Sequence, residues 1–303
     1  MQDYRTQQRI YDRFALEKLP TNIDDIEITG LGLLRDRLLD TMKLRTCSIV
    51  LELGASDGKV LHKIKRDYDI RLGIGIDISS ASVKRAKQND KLGNFFLVAD
   101  AHALPFLSHS LDLVLAFDVF EHLENLEIVL VDLHRCLKPG GKVLIHVPVS
   151  GGNHLRGMLL GKLAKLLRHP NWHKPEAVGH YPENIRTKDE LIRLLSVKGF
   201  TMSSSYDTSV LFQPLYDYIL ISFLKDLWEH VFIWHFAGSD TGEGDKRLSK
   251  DRIEFQVKKK ISKTKNLMLA TTPLLLLILA VDRVLCRLGV KGGAVFISAE
   301  KKE

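Results

Sequence analysis

The chain has 303 residues, of which 45% are apolar and 27% charged, and a formal net charge of +7. This mixture excludes a disordered or fibrous protein and allows one large domain, or a domain with a substantial insertion. A moderate positive charge suits an anionic membrane surface, a nucleic acid or an acidic ligand, and chooses among them only once the charges are located.

Residues 1–46 read as polar N-terminal helices, with Leu31, Leu33, Leu34, Leu38 and Leu39 falling roughly on one helical face. Met1 to Pro20 is too charged for a secretory signal. From Ser48, short apolar runs alternate with amphipathic stretches, the pattern of a parallel sheet covered by helices. The predicted strands are Ile49 to Leu53, Leu72 to Asp77, Phe95 to Val98, Leu111 to Phe117 and Val143 to Val147. Helices are expected from about Lys59, after an N-cap at Ser79 or Ser80, and over 125–137. Pro139-Gly140-Gly141 reads as a turn, because proline and two glycines do not extend a helix. Residues 149–186 are irregular. Thr187-Lys188-Asp189-Glu190 has the capping-box form and restarts a helix. Phe200 to Tyr206 is a sixth strand, 209–290 a long and mostly helical stretch, and Ala294 to Ala299 a last strand. The three cysteines, Cys47, Cys136 and Cys286, are too scattered for a disulfide framework or a metal cluster, so no metal is expected and a reducing cytosol is the simplest compartment.

The chemistry starts at the loop Gly54-Ala55-Ser56-Asp57-Gly58. A strand, then glycines, then a helix lets a ligand approach the backbone and meet the N–H groups at the helix start. Close packing alone also accounts for a glycine after a strand. Asp77 closes the second strand at the carboxyl edge, where open α/β sheets bind ligands, and a carboxylate there can accept both hydroxyls of a ribose. Asp100 follows the third strand, either as the cap of the next turn or as an acceptor for an adenine amino group. The spacing would also suit a nicotinamide dinucleotide and an oxidoreductase. However, the loop lacks the three-glycine form that seats a pyrophosphate, with Ser at 56 and Lys at 59.

These segments, taken together and in order, resemble the class I S-adenosylmethionine-dependent methyltransferases of the small-molecule type. Val50 to Gly58 is similar to the family's first motif, and Gly75-Ile76-Asp77-Ile78-Ser79 to the second. Asp100 to Phe106 is similar to the loop after the third strand. Leu111 to Val114 with Glu121-His122-Leu123 resembles the fourth-strand region, and Leu137 to Gly141 the turn before the fifth strand. The resemblance covers residues 45–206 and the last strand. It implies a Rossmann-like three-layer α/β sandwich with a seven-stranded, mostly parallel sheet carrying one antiparallel strand near its edge. The expected organisation is an N-terminal helical segment (1–46), a cofactor-binding core (47–208), a helical insertion or lid (209–290), and a last strand and tail (291–303). The cofactor implied is S-adenosyl-L-methionine. Glu52, Gly54, Ala55, Ser56 and Gly58 would lie along its methionine part, and Asp77 would hold the ribose. Ile78 would pack on the adenine, Asp100 and Ala101 would meet its edge, and Phe117 or Asp118 would lie near the sulfonium. Ser56 stands where the family often has a third glycine.

Methyl transfer is an in-line displacement with a good leaving group, so positioning supplies much of the catalysis and a base is needed only if the acceptor must lose a proton. His122, His180 and Tyr181 are the candidates for that role, against the plainer reading of a helix-start residue and a loop anchor. Specificity should reside outside the core. Leu211 to Phe236 is either a buried helix or a lid over a lipophilic acceptor. Lys258-Lys259-Lys260, Lys263 and Lys265 precede an uncharged run from Leu267 to Val281, which is too short and too interrupted by Pro273 to span a bilayer. A lysine cluster beside an apolar helix fits attachment to anionic lipid; a core helix with a solvated basic flank is the alternative. Nucleic acid is disfavoured, because the lysines are not interleaved with stacking aromatics and Asp118-Val119-Phe120-Glu121 stands where a base-methylating motif would be. The expectation is methyl transfer to a small, hydrophobic or lipid-linked acceptor by a cytoplasmic protein, peripheral to the membrane. The alternatives are a non-catalytic methyltransferase-like binding module and a methyltransferase acting on protein or nucleic acid.

Overall fold

A computed structural model describes residues 48–151, 185–208 and 280–302, together with residues 8, 9, 11, 12, 35, 38–40, 42, 273, 276 and 277. Seven strands form one sheet: β1 (Ile49–Leu53), β2 (Leu72–Asp77), β3 (Phe95–Val98), β4 (Leu111–Phe117), β5 (Leu137–Pro148), β6 (Phe200–Thr208) and β7 (Ala294–Lys301). The order across the sheet is β3-β2-β1-β4-β5-β7-β6. The first five strands run parallel, and β7 runs antiparallel to both β5 and β6.

Successive side chains of a strand point to opposite faces, and this sequence makes both faces apolar. Leu51, Leu53, Val114, Ala116, Val143, Ile145, Val295 and Ile297 belong to one buried cluster. It is completed by α3 (Leu126–Cys136) and α4 (Lys188–Val197), through residues such as Leu130, Leu133, Leu191 and Leu195. The alternate residues Val50, Leu113, Leu115, Phe117, Leu144 and Phe296 meet α1 (Lys59–Tyr68) and α2 (Ser80–Asn89), with Leu38 and Leu39 of the N-terminal segment. This is a three-layer sandwich, and each fully buried aliphatic side chain contributes about 1.5–3 kcal/mol to it. Residues 280–287 are also helical.

Short-range signals set most helix ends. Ser79, Asn125 and Thr187 cap α2, α3 and α4 with side-chain oxygens, and Thr187 with Glu190 makes the reciprocal capping box. Between the two expected caps of α2, Ser79 is the one used. α1 differs: it follows Gly58 in the left-handed region and has no side-chain cap. The expected turn at Pro139-Gly140-Gly141 is instead part of β5. The pairing with β4 shifts register between Leu111 and Leu113, and Gly140 takes a positive φ of 72°, so the irregularity is absorbed as a kink in a continuing strand.

Candidate functional site

The carboxyl ends of β2, β1 and β4 lie side by side, and the loop after β1 sits between the other two. Gly54 and Gly58 have φ of 63° and 81°. Both also lack room for a side chain: a Cβ on Gly54 would lie 2.5 Å from Val119 Cγ2, and one on Gly58 2.7 Å from Phe96 Cζ. The glycines therefore serve local packing as well as backbone freedom. Ala55 N–H donates to the Ile76 carbonyl (3.0 Å), and Ser56 N–H donates to Asp77 Oδ2 (2.9 Å), which fastens the loop to the end of β2. Ser56 adopts φ 50°, a strained conformation for serine that this bond holds in place.

Asp77 is half-buried, and its Oδ1 accepts the Ser79 N–H at 2.8 Å. Burial raises its carboxyl above the ordinary value; the two N–H groups pull it down, and the nearby Asp12 raises it again. Each oxygen keeps a further lone pair for a hydroxyl. Ile78 is half-buried beside it. Past β3, Asp100 Oδ1 accepts the His102 N–H (2.9 Å) and faces His102 Nδ1 (2.6 Å). That is the capping contact expected for it, and Oδ2 takes no hydrogen bond among the described residues. Ala101 is half-buried next to it.

Glu52 projects from an apolar strand onto the α1 face and is 4% exposed. Burial pushes its carboxyl up to about 8 against the counter-pull of Arg35, with Asp57 and Asp77 raising it further. Oε2 has no hydrogen-bond partner among the described residues. A buried carboxyl oxygen without a donor is costly unless a donor arrives from outside.

At the end of β4, Phe117 is buried with the Arg35 guanidinium 4.8 Å above its ring. Asp118 follows in the left-handed region, with φ 54° and its N–H on the His146 carbonyl. Its Oδ1 lies 2.6 Å from Nδ1 of His146, a buried β5 residue whose Nε2 is 3.4 Å from Thr208 Oγ1. Partial burial would raise the Asp118 carboxyl, but the His146 hydrogen bond and charge hold it below the ordinary range. The 3-10 turn Phe120–His122 then carries Glu121, which is 2% exposed and pushed up to about 8 by burial and by the charge of Asp118. Its Oε2 also lacks a partner among the described residues, and Oε1 is 3.9 Å from His122 Nε2. His122 therefore sits in a turn after β4, three residues before the Asn125 cap of α3. His180 and Tyr181, and the lysines at 258–265, lie outside the described residues.

The structure brings together Glu52, Gly54, Ala55, Ser56, Gly58, Asp77, Phe117, Asp118 and His122 around adjacent strand ends. It adds Tyr11, Asp12, Arg35, Glu121 and His146, to which the sequence reading gave no role. For His146 a signal existed: a histidine inside the apolar run Val143 to Val147 needs a buried partner.

Residues 51–145 match the methyltransferase domain family, from the middle of β1 to a point within β5. This segment is a methyltransferase domain, and the match supports the class I S-adenosylmethionine-dependent type. Malonyl-[acyl-carrier protein] O-methyltransferase 1 of Coxiella burnetii is 32% identical over 112 residues, a match that covers 36% of this chain and 37% of that protein. Demethylmenaquinone methyltransferase of Thermotoga maritima is 26% identical over 186 residues, covering 59% of this chain and 77% of that one. Phosphoethanolamine N-methyltransferase 2 of Haemonchus contortus, solved with S-adenosylmethionine, shares the fold at a TM-score of 0.53 and 15% identity, over 99% of this chain and 58% of that one.

The residues of this methyltransferase domain suit the cofactor. Glu52 Oε2 lacks a donor that an ammonium would supply, Asp77 has acceptor capacity for vicinal hydroxyls, and α1 opens without a side-chain cap.

Proposed function

We propose that this methyltransferase acts on a small, hydrophobic or lipid-linked acceptor at an anionic membrane surface. When bound, the cofactor supplies an electrophilic methyl group on a positively charged sulfur. Glu52 receives the cofactor's ammonium and gives up its proton on doing so. Asp77 receives the ribose hydroxyls; Ile78, Asp100 and Ala101 flank the base, and Gly54 to Gly58 provide the backbone beside the methionine part. Asp118, kept ionised by His146, accepts a hydrogen bond from the acceptor or balances a charge on it. Glu121, protonated at neutral pH, donates one. Where the acceptor must lose a proton, His122 takes it, as the imidazole next to the acceptor side of the site.

One observation supports this acceptor class. On the helical residues 280–287, Val281 and Val284 are exposed three positions apart, with Leu277 and Leu288 exposed at spacings of four on either side, while Asp282 is buried. A helix that turns its apolar stripe outward is built to meet something apolar. Arg283, Arg287 and Lys291 are exposed alongside, and the lysines at 258–265 precede it in sequence. That is the arrangement of an interfacial helix on anionic lipid. Among the described residues no helix is long and apolar enough to cross a membrane. Two relatives are named for acyl-carrier-linked and quinone acceptors, which fits a small molecule over a macromolecule.

The test combines the protein, methyl-labelled S-adenosylmethionine and a membrane extract, followed by separation of lipid, protein, nucleic-acid and aqueous fractions. Label is expected in the lipid fraction. Label in the protein or nucleic-acid fraction overturns the acceptor assignment, and cofactor binding without label anywhere favours the non-catalytic module. In parallel, the protein should float with phosphatidylglycerol vesicles at low salt, and V281E/V284E should stay at the bottom.

A further inference from the structure

Tyr11 and Asp12 are neighbours in sequence yet reach opposite sides of the cofactor cleft. Asp12 Oδ1 accepts the Ser79 hydroxyl at 2.7 Å and the Ala81 N–H at 2.9 Å, and its carboxylate is within 3.3 Å of Ser80 Oγ. These three residues follow β2. The Tyr11 ring meets His122, which follows β4, edge to face at 5.7 Å between centroids. Since β1 lies between β2 and β4, a segment touching both flanks crosses the carboxyl end of β1 and the loop Gly54–Gly58.

Ser79 is fully buried and is the junction of this arrangement. Its N–H holds Asp77 Oδ1, its hydroxyl hydrogen goes to Asp12, and its hydroxyl oxygen accepts the Ser82 N–H at 3.0 Å. A hydroxyl has one hydrogen, so Ser79 Oγ is committed to Asp12 and only the backbone N–H serves Asp77. Through this serine the N-terminal segment is tied to the carboxylate assigned to the ribose. Residues 8, 9, 11 and 12 are helical, and the two contacts come from adjacent residues.

We propose that Tyr11 and Asp12 form a strap across the cofactor cleft, in which Asp12 is the positioning residue that latches to Ser79, Ser80 and Ala81. The strap keeps bound cofactor in the cleft and opens for its exchange. This rests on the cofactor assignment made above. An acidic latch beside Asp77 has a physical cost, since the two carboxylates repel. The cost is offset by three donors on one side chain, the number an ionised carboxylate can use well.

S-adenosylhomocysteine is the probe, with its affinity taken by calorimetry and its dissociation rate by stopped-flow displacement on the full chain. Asp12→Ala should speed dissociation by about tenfold, the scale of one hydrogen bond to a charged group. Asp12→Asn, which keeps an acceptor oxygen, should restore most of the slow release. Bound S-adenosylhomocysteine should also protect the exposed Arg9 from trypsin, and Asp12→Ala should remove that protection. A cap that only stabilises α2 would lower the melting temperature of the ligand-free protein and leave the dissociation rate unchanged, which overturns the strap. Should Asp12→Ala fail to fold, Tyr11→Ala loosens the other anchor and must raise the dissociation rate in the same way. If the unsubstituted protein does not bind the probe at all, the cofactor assignment itself falls, and the strap with it.

Discussion

Two buried glutamic acids set the electrostatics of this site. Glu52 and Glu121 are each pushed up to about 8, by burial first, while an unfolded chain releases both protons near the ordinary glutamate value. Between those values the native protein holds protons that the unfolded chain has lost. Native stability should therefore be highest at the acid end of that window and fall as pH rises toward 8, by about 1.4 kcal/mol per pH unit for each group. Urea unfolding at pH 5.5, 6.5 and 7.5 checks this. E121Q should flatten the slope by one group's share, and a slope equal to that of the unsubstituted protein would contradict it. The depressed Asp118 carboxyl contributes in the opposite sense, only below its ordinary value and so outside this range. The sequence made Glu52 and Asp118 visible through strand ends. It gave no role to His146 or Arg35, because their partners Asp118 and Phe117 lie 28 and 82 positions away in the chain rather than within one motif.

At the level of elements, the glycine loop is fixed by two independent constraints. Gly54 has a left-handed φ and sits against Val119, which belongs to the turn after β4. Gly54→Ala should cost about 1–3 kcal/mol in backbone strain, and more from the overlap with Val119 Cγ2. Adding Val119→Ala should recover the overlap and leave the strain, so the double variant should melt between Gly54→Ala and the unsubstituted protein. Full recovery would mean that φ carries no cost here. Short apolar runs and capping residues made the strands and α2 to α4 legible, since each is a local signal. The turn expected at Pro139-Gly140-Gly141 failed for a non-local reason: Leu111 pairs with Leu137, which draws those residues into β5 with a shifted register. The contact of Asp12 with Ser79 was not legible, because the two residues are 67 positions apart.

At the level of the whole molecule, the sheet depends on its last strand. β7 lies between β5 and β6, and among the described strands β6 pairs with β7 alone. Lys301, at the end of β7, is buried, and its ammonium donates to the carbonyls of His134 (2.7 Å) and Leu137 (2.8 Å). It thereby ties β7 to the end of α3 and the start of β5. Lys301→Met leaves both carbonyls unpaired and should cost about 1–3 kcal/mol, read as a lowered urea midpoint. An unchanged midpoint would mean that desolvating the ammonium cancels its hydrogen bonds. The place of β7 also orders events in time. Of the strands in this sheet it is the last to be synthesised, yet it occupies an interior position. Until it emerges from the ribosome, β5 and β6 lack the strand that each pairs with in the finished sheet. Such long-range pairing is slow, and an unpaired strand edge is where neighbouring chains associate. Nascent chains of this protein thus carry an open sheet edge between the synthesis of β5 and that of β7, and the sheet closes in a late step.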